Sequence, residues 1–401
     1  MRALAIIDGE HYAPVVRDAL VRSPHEIVAA LLAGGTEKLR GDDDYGVPLV
    51  RDLESAVAEF DPELVLDLSD EPVLGPPARL RLASRVLALG IPYEGPGFRF
   101  DPPVFHAIET PSLAVIGTGK RIGKTAVTGH VARALAADRN VVVVAMGRGG
   151  PPEPELVREP PTLEQLLERS RAGRHAASDH LETAALVGVP TVGCRRCGGG
   201  LAGAVADSNV LEGVALAERA GAELVVLDGS GAALPPVAAD RRILVARTHE
   251  DALGYMNAYR LLISDLVVLT GGGESAPIRE LKDVPVVRVR LRLRPERPVE
   301  GARIAVFTTG PAPVDHLGGE IVLVSRNLAD RHALREDLAR AVADVYVVEL
   351  KAAAIDIVAE AAAERGADVV FAANDVVPLP GEDDPGELAR GFWPAPVGAA
   401  R

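Results

Sequence analysis

An α/β fold built on a mostly parallel sheet is what these 401 residues predict. Short apolar runs alternate with segments of helical spacing, this alternation restarts twice along the chain, and one glycine-rich turn joins a strand directly to a helix. The expected architecture is a central P-loop NTPase-type parallel-sheet domain flanked by smaller α/β domains. The boundaries implied are residues 1–108 for an N-terminal α/β domain, 109–298 for the P-loop domain, and 299–401 for a C-terminal α/β domain with a Pro/Gly-rich tail.

The elements follow in order. MRALAIID reads as a buried strand, HEIVAALLAGG (His25 to Gly35) as a helix with a glycine stop, VPLVRD as a strand and LESAVAEF as a helix. ELVLDLSDEP is a strand feeding an acidic loop, and ARLRLASRVLALG a helix with Gly90 near its C-cap. The Pro/Gly/Phe-rich stretch from Pro92 to Phe105 reads as a connector. From Leu113, the strand LAVIG leads through the glycine turn into the helix GKTAVTGHVARALAA, followed by the strand VVVVAM and the loop GRGGPPEPE. Two helical segments, LEQLLERSRAG and SDHLETAALVG, precede a loop VGCRRCGGGLAGA. Another helix, the strand ELVVLDGSG, the strand RRILVAR, the helix DALGYMNAYRLLI and the strand DLVVLT complete the central pattern. VPVVRVRLRLRPERP alternates strictly, as a half-exposed strand does, and stops at Pro295 and Pro298. The last part reads strand, helix, strand, helix, strand to VVFAAND, and the chain beyond Pro378 reads as a tail that packs loosely or on a neighbour.

Composition narrows the function. A net charge of −14 argues against general nucleic-acid binding and against adhesion to an anionic membrane. No apolar run approaches a membrane span, and the N-terminus lacks a signal-peptide core, so the expected location is the cytoplasm. Two cysteines supply no disulfide framework.

The positive charge is distributed unevenly. Of 43 basic residues only five are lysine, and two of those, Lys120 and Lys124, fall in GTGKRIGKT. A strand, a glycine turn and a helix starting Gly-Lys-Thr form the phosphate-loop context. Glycines let backbone N–H groups approach phosphate oxygens, and the helix presents its positive end. A lysine adds a compact charge where an arginine fork would not fit. Gly117, Thr118, Gly119, Lys120, Gly123, Lys124 and Thr125 are therefore the expected ATP-binding residues. Thr118 stands where the usual first glycine falls, with Gly117 one residue earlier; loops of dethiobiotin synthetase-like P-loop enzymes are similar. Asp228, closing the strand LVVLD, pairs with Thr125 as the expected Mg²⁺ ligand set. The absence of an N-K-x-D element disfavours guanine. A dinucleotide reading of Gly117, Gly119 and Gly123, with Arg148 on a 2′-phosphate, stays open but has no use for Lys124-Thr125.

Other loops collect basic groups suited to a phosphorylated substrate. Arg148 lies between glycines after the second central strand. ERSRAGRHAASDH carries Arg169, Arg171, Arg174, His175 and His180, and Arg195-Arg196 precede Gly198-Gly199-Gly200. Arg148, Arg171, Arg174, His175, Arg195, Arg196 and Gly199 are the candidate substrate contacts, with Lys120, Lys124, Arg148 and Asp228 the candidate catalytic groups. Cys194 and Cys197 have C-x-x-C spacing without a second pair, and read as loop packing rather than a metal or redox site. Asp8-Gly9-Glu10-His11 is either a plain strand-end turn or a second substrate surface.

GTGKRIGKTAVTGH, MGRGGP, SRAGRHAASDHLE, RRCGGGLAGA with SNVLEG, DGSGAALPPV and THEDALGYMNAYR together resemble the cyclic 2,3-diphosphoglycerate synthetase family. The resemblance implies an ATP- and Mg²⁺-dependent ligase that closes 2,3-diphosphoglycerate into an internal pyrophosphate, releasing ADP and phosphate. It implies a small-molecule substrate, no nucleic acid and no membrane, and leaves a homodimer open. A kinase acting on another phosphorylated acid and a partition-type or metal-insertion ATPase are the competing readings.

Overall fold

The structure is a computed structural model that describes residues 1–41, 43–71, 73–172, 179–310, 313–350 and 355–393, with Ser170, Arg171 and Asp179 described by backbone alone. It divides into two compact units, one of Met1–Val104 with Ala252–Ile263 and one of Phe105–Asp251 with Ser264–Arg401.

The first unit runs β1 (Arg2–Ile7), α1 (Ala13–Val21), β2 (Glu26–Leu32), β3 (Leu49–Val50), α2 (Leu53–Phe60), β4 (Leu64–Asp67), α3 (Pro76–Ala88), β5 (Tyr93–Gly95) and β6 (Phe98–Phe100). Its six-stranded sheet has the order β3-β2-β1-β4-β5-β6, with only the β5–β6 pair antiparallel. Two expectations are corrected here. His25–Gly35 is not a helix: Glu26–Leu32 is β2, with Ala5 facing Ala30 across the β1 ladder. A strand buried on both faces carries no period, so EIVAALL satisfies either reading, and the helix that precedes it lies at Ala13–Val21 instead. The connector at residues 92–105 supplies the last two strands, with Tyr93 wholly buried.

The second unit contains β7 (Ser112–Gly117), α4 (Lys124–Ala136), β8 (Val141–Gly147), β9 (Glu155–Val157), α5 (Leu163–Arg171), α6 (Asp179–Val187), β10 (Thr191–Cys197), β11 (Asp207–Ser208), α7 (Val210–Arg219), β12 (Leu224–Asp228) and β13 (Arg241–Ala246). The chain continues through α8 (His249–Leu253), α9 (Asn257–Leu262), β14 (Leu266–Leu269), α10 (Ala276–Leu281), β15 (Val286–Pro295), β16 (Arg303–Phe307), β17 (Glu320–Ser325), α11 (Arg331–Arg340), β18 (Val345–Glu349), α12 (Ile355–Arg365), β19 (Asp368–Pro378) and α13 (Pro385–Arg390). The segment carrying α9 belongs to the first unit, where Ser84 Oγ lies 3.7 Å from Met256 Sδ. The expected single helix DALGYMNAYRLLI is broken into α8 and α9 at Gly254, with Tyr255 left-handed at φ 49°.

One 13-stranded sheet, β11-β10-β8-β12-β7-β13-β14-β15-β19-β18-β16-β17 with β9 beside β10, spans the second unit. β7, β8 and β12 are buried at every residue, as strands covered on both faces must be. β15 is long enough to pair with β14 in parallel and then with β19 antiparallel, so the sheet passes without a break from residues 112–291 into 303–378. The expected loop at residues 192–204 begins as strand: β10 runs to Cys197 and pairs with β8 through Arg195↔Gly147. The helix expected between the first two strands of the last part is a single turn at Asp315–Leu317. The tail is also more ordered than expected. α13 packs on α4, with Ala389 fully buried, His130 Nε2 2.9 Å from Asp384 Oδ1, and Arg390 Nε 2.8 Å from Asp138 Oδ2.

Close packing sets α7 against β10, where a Cβ on Gly213 would fall 2.1 Å from Cys194 Sγ. Gly213→Ala is therefore expected to destabilise the protein by about 2 kcal/mol, read as a lower urea midpoint. Adding Cys194→Ala, which empties the colliding volume, should recover part of that loss.

Candidate functional site

Four strand ends build the site. β10, β8, β12 and β7 are consecutive parallel neighbours, so Arg195-Arg196, Gly147-Arg148, Asp228 and Gly117 emerge along one carboxyl edge. Ligands of open α/β sheets bind at this edge.

The loop from Gly117 to Gly123 is held by its surroundings. Thr118 N donates to Val245 O at 3.1 Å, and the Thr270 hydroxyl donates to Ile122 O at 2.7 Å. Gly117 has no room for a side chain, because a Cβ would lie 2.8 Å from Ile122 Cδ1 and 3.1 Å from Gly231 O. Gly119 faces open space, with nothing within 4 Å of its Cβ position. Gly123 caps α4 in the left-handed region at φ 85°, against Leu291 and Thr270.

Lys124 and Asp228 form a buried ion pair, 8% and 0% exposed. The Thr128 hydroxyl, one turn along α4, lies 2.8 Å from the same Asp228 Oδ1 and 3.1 Å from the Lys124 carbonyl oxygen. Asp228 Oδ2 is buried and has no hydrogen-bond partner among the described residues. Thr125 lies on another side of the helix, lining a cavity of about 20 Å³ with Arg133, Glu182, Thr183 and Asn374.

Lys120 and Arg148 converge on Gly231, whose Cβ position lies 3.7 Å from Lys120 Cγ and 3.1 Å from Arg148 Nη2. Arg196 reaches the same turn, donating from Nη2 to Ser230 O at 3.0 Å and from Nη1 to Gly198 O. Gly199 lies against Arg196, with Nη1 3.3 Å from its Cβ position. Arg195 is exposed, and its backbone N–H donates to Asn209 Oδ1 at 2.7 Å. Asn209 also donates to Pro152 O at 3.1 Å, tying the Arg148 loop to the Arg195 strand. Gly150 makes that junction possible, because a Cβ there would sit 1.9 Å from Cys194 O.

The structure therefore brings together Gly117, Lys120, Lys124, Arg148, Arg196, Gly199 and Asp228. It shows no contact between Thr125 and Asp228. Arg174 and His175 lie outside the described residues, as does the Arg171 side chain. Their neighbours serve the scaffold: Arg169 forms a two-pronged pair with Glu155 at 2.7 and 2.6 Å, and buried His180 packs over Gly193. His180 and Arg169 hold the Glu155 carboxyl well below the usual carboxylate range. Sequence reasoning passed over Thr128, Asn209, Ser230 and Gly231. The first two are ordinary helix and turn residues by pattern, and Ser230-Gly231 carried no chemical signal beyond their place after Asp228. The Asp8–His11 turn is internally tied: Asp8 accepts from Glu10 N at 2.9 Å and Asp70 N at 2.7 Å, with His11 Nδ1 at 2.8 Å.

Two outcomes follow from this geometry. Lys124→Ala leaves the Asp228 charge buried and uncompensated, so a loss of about 3 kcal/mol in urea denaturation is expected, with Lys124→Ala/Asp228→Asn the more stable of the two variants. Burial pushes the Cys194 thiol up to about 12, whereas Cys197 is exposed. A thiol reagent at pH 8 should label only Cys197 in the native protein, and both cysteines once urea unfolds it.

Comparison with known proteins agrees along the whole chain. The N-terminal, P-loop and C-terminal domain models of cyclic 2,3-diphosphoglycerate synthetase match residues 2–101, 112–291 and 295–375. A cyclic 2,3-diphosphoglycerate synthetase of Rubrobacter xylanophilus is 49% identical, over 94% of each chain. That of Thermococcus kodakarensis is 40% identical, over 95% of this chain and 96% of its own. That of Methanothermus fervidus is 38% identical, over 93% and 92% respectively. Among solved structures, LpxK from Aquifex aeolicus in complex with ATP covers 72% of this chain and 89% of its own at 16% identity, with a TM-score of 0.43. The chain belongs to the cyclic 2,3-diphosphoglycerate synthetase family.

Proposed function

We propose that the protein catalyses ATP-dependent closure of 2,3-diphosphoglycerate to cyclic 2,3-diphosphoglycerate, with release of ADP and phosphate. The observation that carries the reading is the convergence of Lys120, Lys124, Arg148 and Arg196 around the Asp228–Gly231 turn, in a chain whose net charge is −14. A site that gathers cations against the overall field suits polyanions meeting polyanions.

Joining two phosphates in water is unfavourable, so one must first be activated. An oxygen of one substrate phosphate attacks the γ-phosphorus of ATP, and the bond to the β-phosphate breaks to release ADP. An oxygen of the neighbouring substrate phosphate then attacks the inner phosphorus, expels inorganic phosphate and closes the ring. Neither step needs a nucleophilic side chain; both need charge neutralisation and alignment. Lys124 and the backbone N–H groups of residues 119–125 hold the β- and γ-phosphates. Lys120 and Arg148, meeting over Gly231, receive the acceptor phosphate. Arg196 is anchored on Ser230 and sets that turn, and Arg195 and Gly199 complete the acceptor surface. Glycine at position 231 keeps the point of convergence open for phosphate oxygens.

The unpartnered, buried Asp228 Oδ2 fits Mg²⁺ or one of its waters. Mg²⁺ would neutralise charge on the β- and γ-phosphate oxygens. Dependence on ATP and the two unpaired thiols support a cytoplasmic location. Among the described residues, no helix is long and apolar enough to cross a membrane.

³¹P NMR of the protein with Mg-ATP and 2,3-diphosphoglycerate tests the reading. New pyrophosphate-type signals should appear with equal amounts of ADP and phosphate, and Lys124→Ala should slow their appearance at least about a hundredfold. Unchanged substrate signals would remove this substrate. Phosphoryl addition without phosphate release would replace the ligase by a kinase.

A further inference from the structure

β15 carries an arginine at every second position, Arg288, Arg290, Arg292 and Arg294, and the proposed chemistry uses none of them. The outer two have carboxylate partners. Arg288 Nε donates to Glu382 Oε1 at 2.6 Å, and Arg294 Nε to Asp375 Oδ1 at 2.8 Å. The inner two, Arg290 and Arg292, are exposed and have no hydrogen-bond or ion-pair partner among the described residues. Two adjacent guanidinium groups on one face of a strand repel each other. Asp375 stands directly across the ladder from Arg292, but its carboxylate accepts from Arg294 instead.

Their location is specific. β15 follows β14 only as far as Leu269↔Arg288 and then continues past the carboxyl end of β14, paired with β19. Arg290 and Arg292 therefore lie at the same edge of the sheet as the phosphate loop. Between them, Leu291 turns to the other face and packs on that loop, its Cδ1 2.7 Å from the Cβ position of Gly123. Arg292 and Arg294 also line, with Glu296, Glu300 and Asp375, a groove of about 360 Å³. Guanidinium groups two residues apart on a strand start from Cα atoms about 6.7 Å apart. That spacing lets two forks close on one phosphate or take the two phosphate monoesters of a vicinal bisphosphate, each through charge-assisted hydrogen bonds.

We infer that Arg290 and Arg292 form a phosphate-binding subsite at the phosphate-loop edge of the sheet, on the face opposite Leu291 and separate from the Lys120–Arg148 convergence. Its occupant is a phosphate group, carried by the 2,3-diphosphoglycerate acceptor or present as free inorganic phosphate. Only the assignment to the acceptor rests on the cyclisation reading; binding of the anion does not.

Calorimetry of the full-length protein with 2,3-diphosphoglycerate, and separately with inorganic phosphate, tests the subsite in wild type and in Arg290→Gln/Arg292→Gln. The double variant should bind at least one of these anions about tenfold or more weakly, with its affinity for Mg-ATP within twofold of wild type. Arg290→Lys/Arg292→Lys, which keeps the charge and loses the fork, should fall between them and guards against a folding defect in the glutamine variant. A loss confined to 2,3-diphosphoglycerate, with a matching rise in its KM, identifies the acceptor; a loss confined to inorganic phosphate identifies the free ion. Unchanged binding of both anions overturns the inference, as does a loss of Mg-ATP affinity of the same size. A changed oligomeric state with intact anion binding also overturns it, making the arginines a protein contact. A wild type that binds 2,3-diphosphoglycerate through these arginines without turning it over would remove the cyclisation reading and leave the subsite standing.

Discussion

Taking an ammonium and a carboxylate out of water costs several kcal/mol for each ion, and Lys124 and Asp228 offset that cost only together. Their pairing joins the first turn of α4 to the end of β12, and so fixes the phosphate loop to the next strand of the sheet. Thr128 completes the arrangement by engaging Asp228 Oδ1, so the carboxylate has one saturated oxygen and one without a partner. The pair thereby sets both the position of the loop lysine and the direction of the Asp228 oxygen left for a cation. Glycines at 117 and 231 let the backbones of the two strand ends approach, which keeps the pair close to the carboxyl edge.

Around that pair the backbone helps to orient the positive charge. Arg196 donates to the carbonyl oxygens of Gly198 and Ser230, which fix its direction. Asn209 ties the strand of Arg195 to the loop of Arg148 through main-chain groups in the same way. By contrast, Arg169, Arg288 and Arg294 each meet a carboxylate.

Several departures from the sequence reading share one cause. β2 reads as a helix and β10 as a loop because neither shows alternation: β2 is apolar almost throughout, and β10 runs from a buried half into CRRC and the three glycines that follow. Residues 92–105 and the tail beyond Pro378 are rich in Pro and Gly, yet β5 and β6 close a sheet edge and α13 covers α4. Composition reports the local cost of order, while docking on a preformed surface decides whether that cost is met. The arginine strand is legible, because strict alternation from Val287 to Arg294 is a local signal.

By itself, the sequence determined the α/β class, the phosphate loop with its lysines and threonine, the acidic strand end at Asp228 and the family. Each of these resides in a contiguous stretch whose backbone geometry and chemistry are set by near neighbours. Only the tertiary structure decided that Arg148, Arg196, Lys120 and Gly231 share one point, that Thr128 holds Asp228, and that Arg290 and Arg292 reach the phosphate-loop edge. Those depend on the order β10-β8-β12-β7 and on β15 outrunning β14. Strand order is a choice among pairings distant in the chain. It is settled by burial of whole strand faces, which no local pattern of residues encodes.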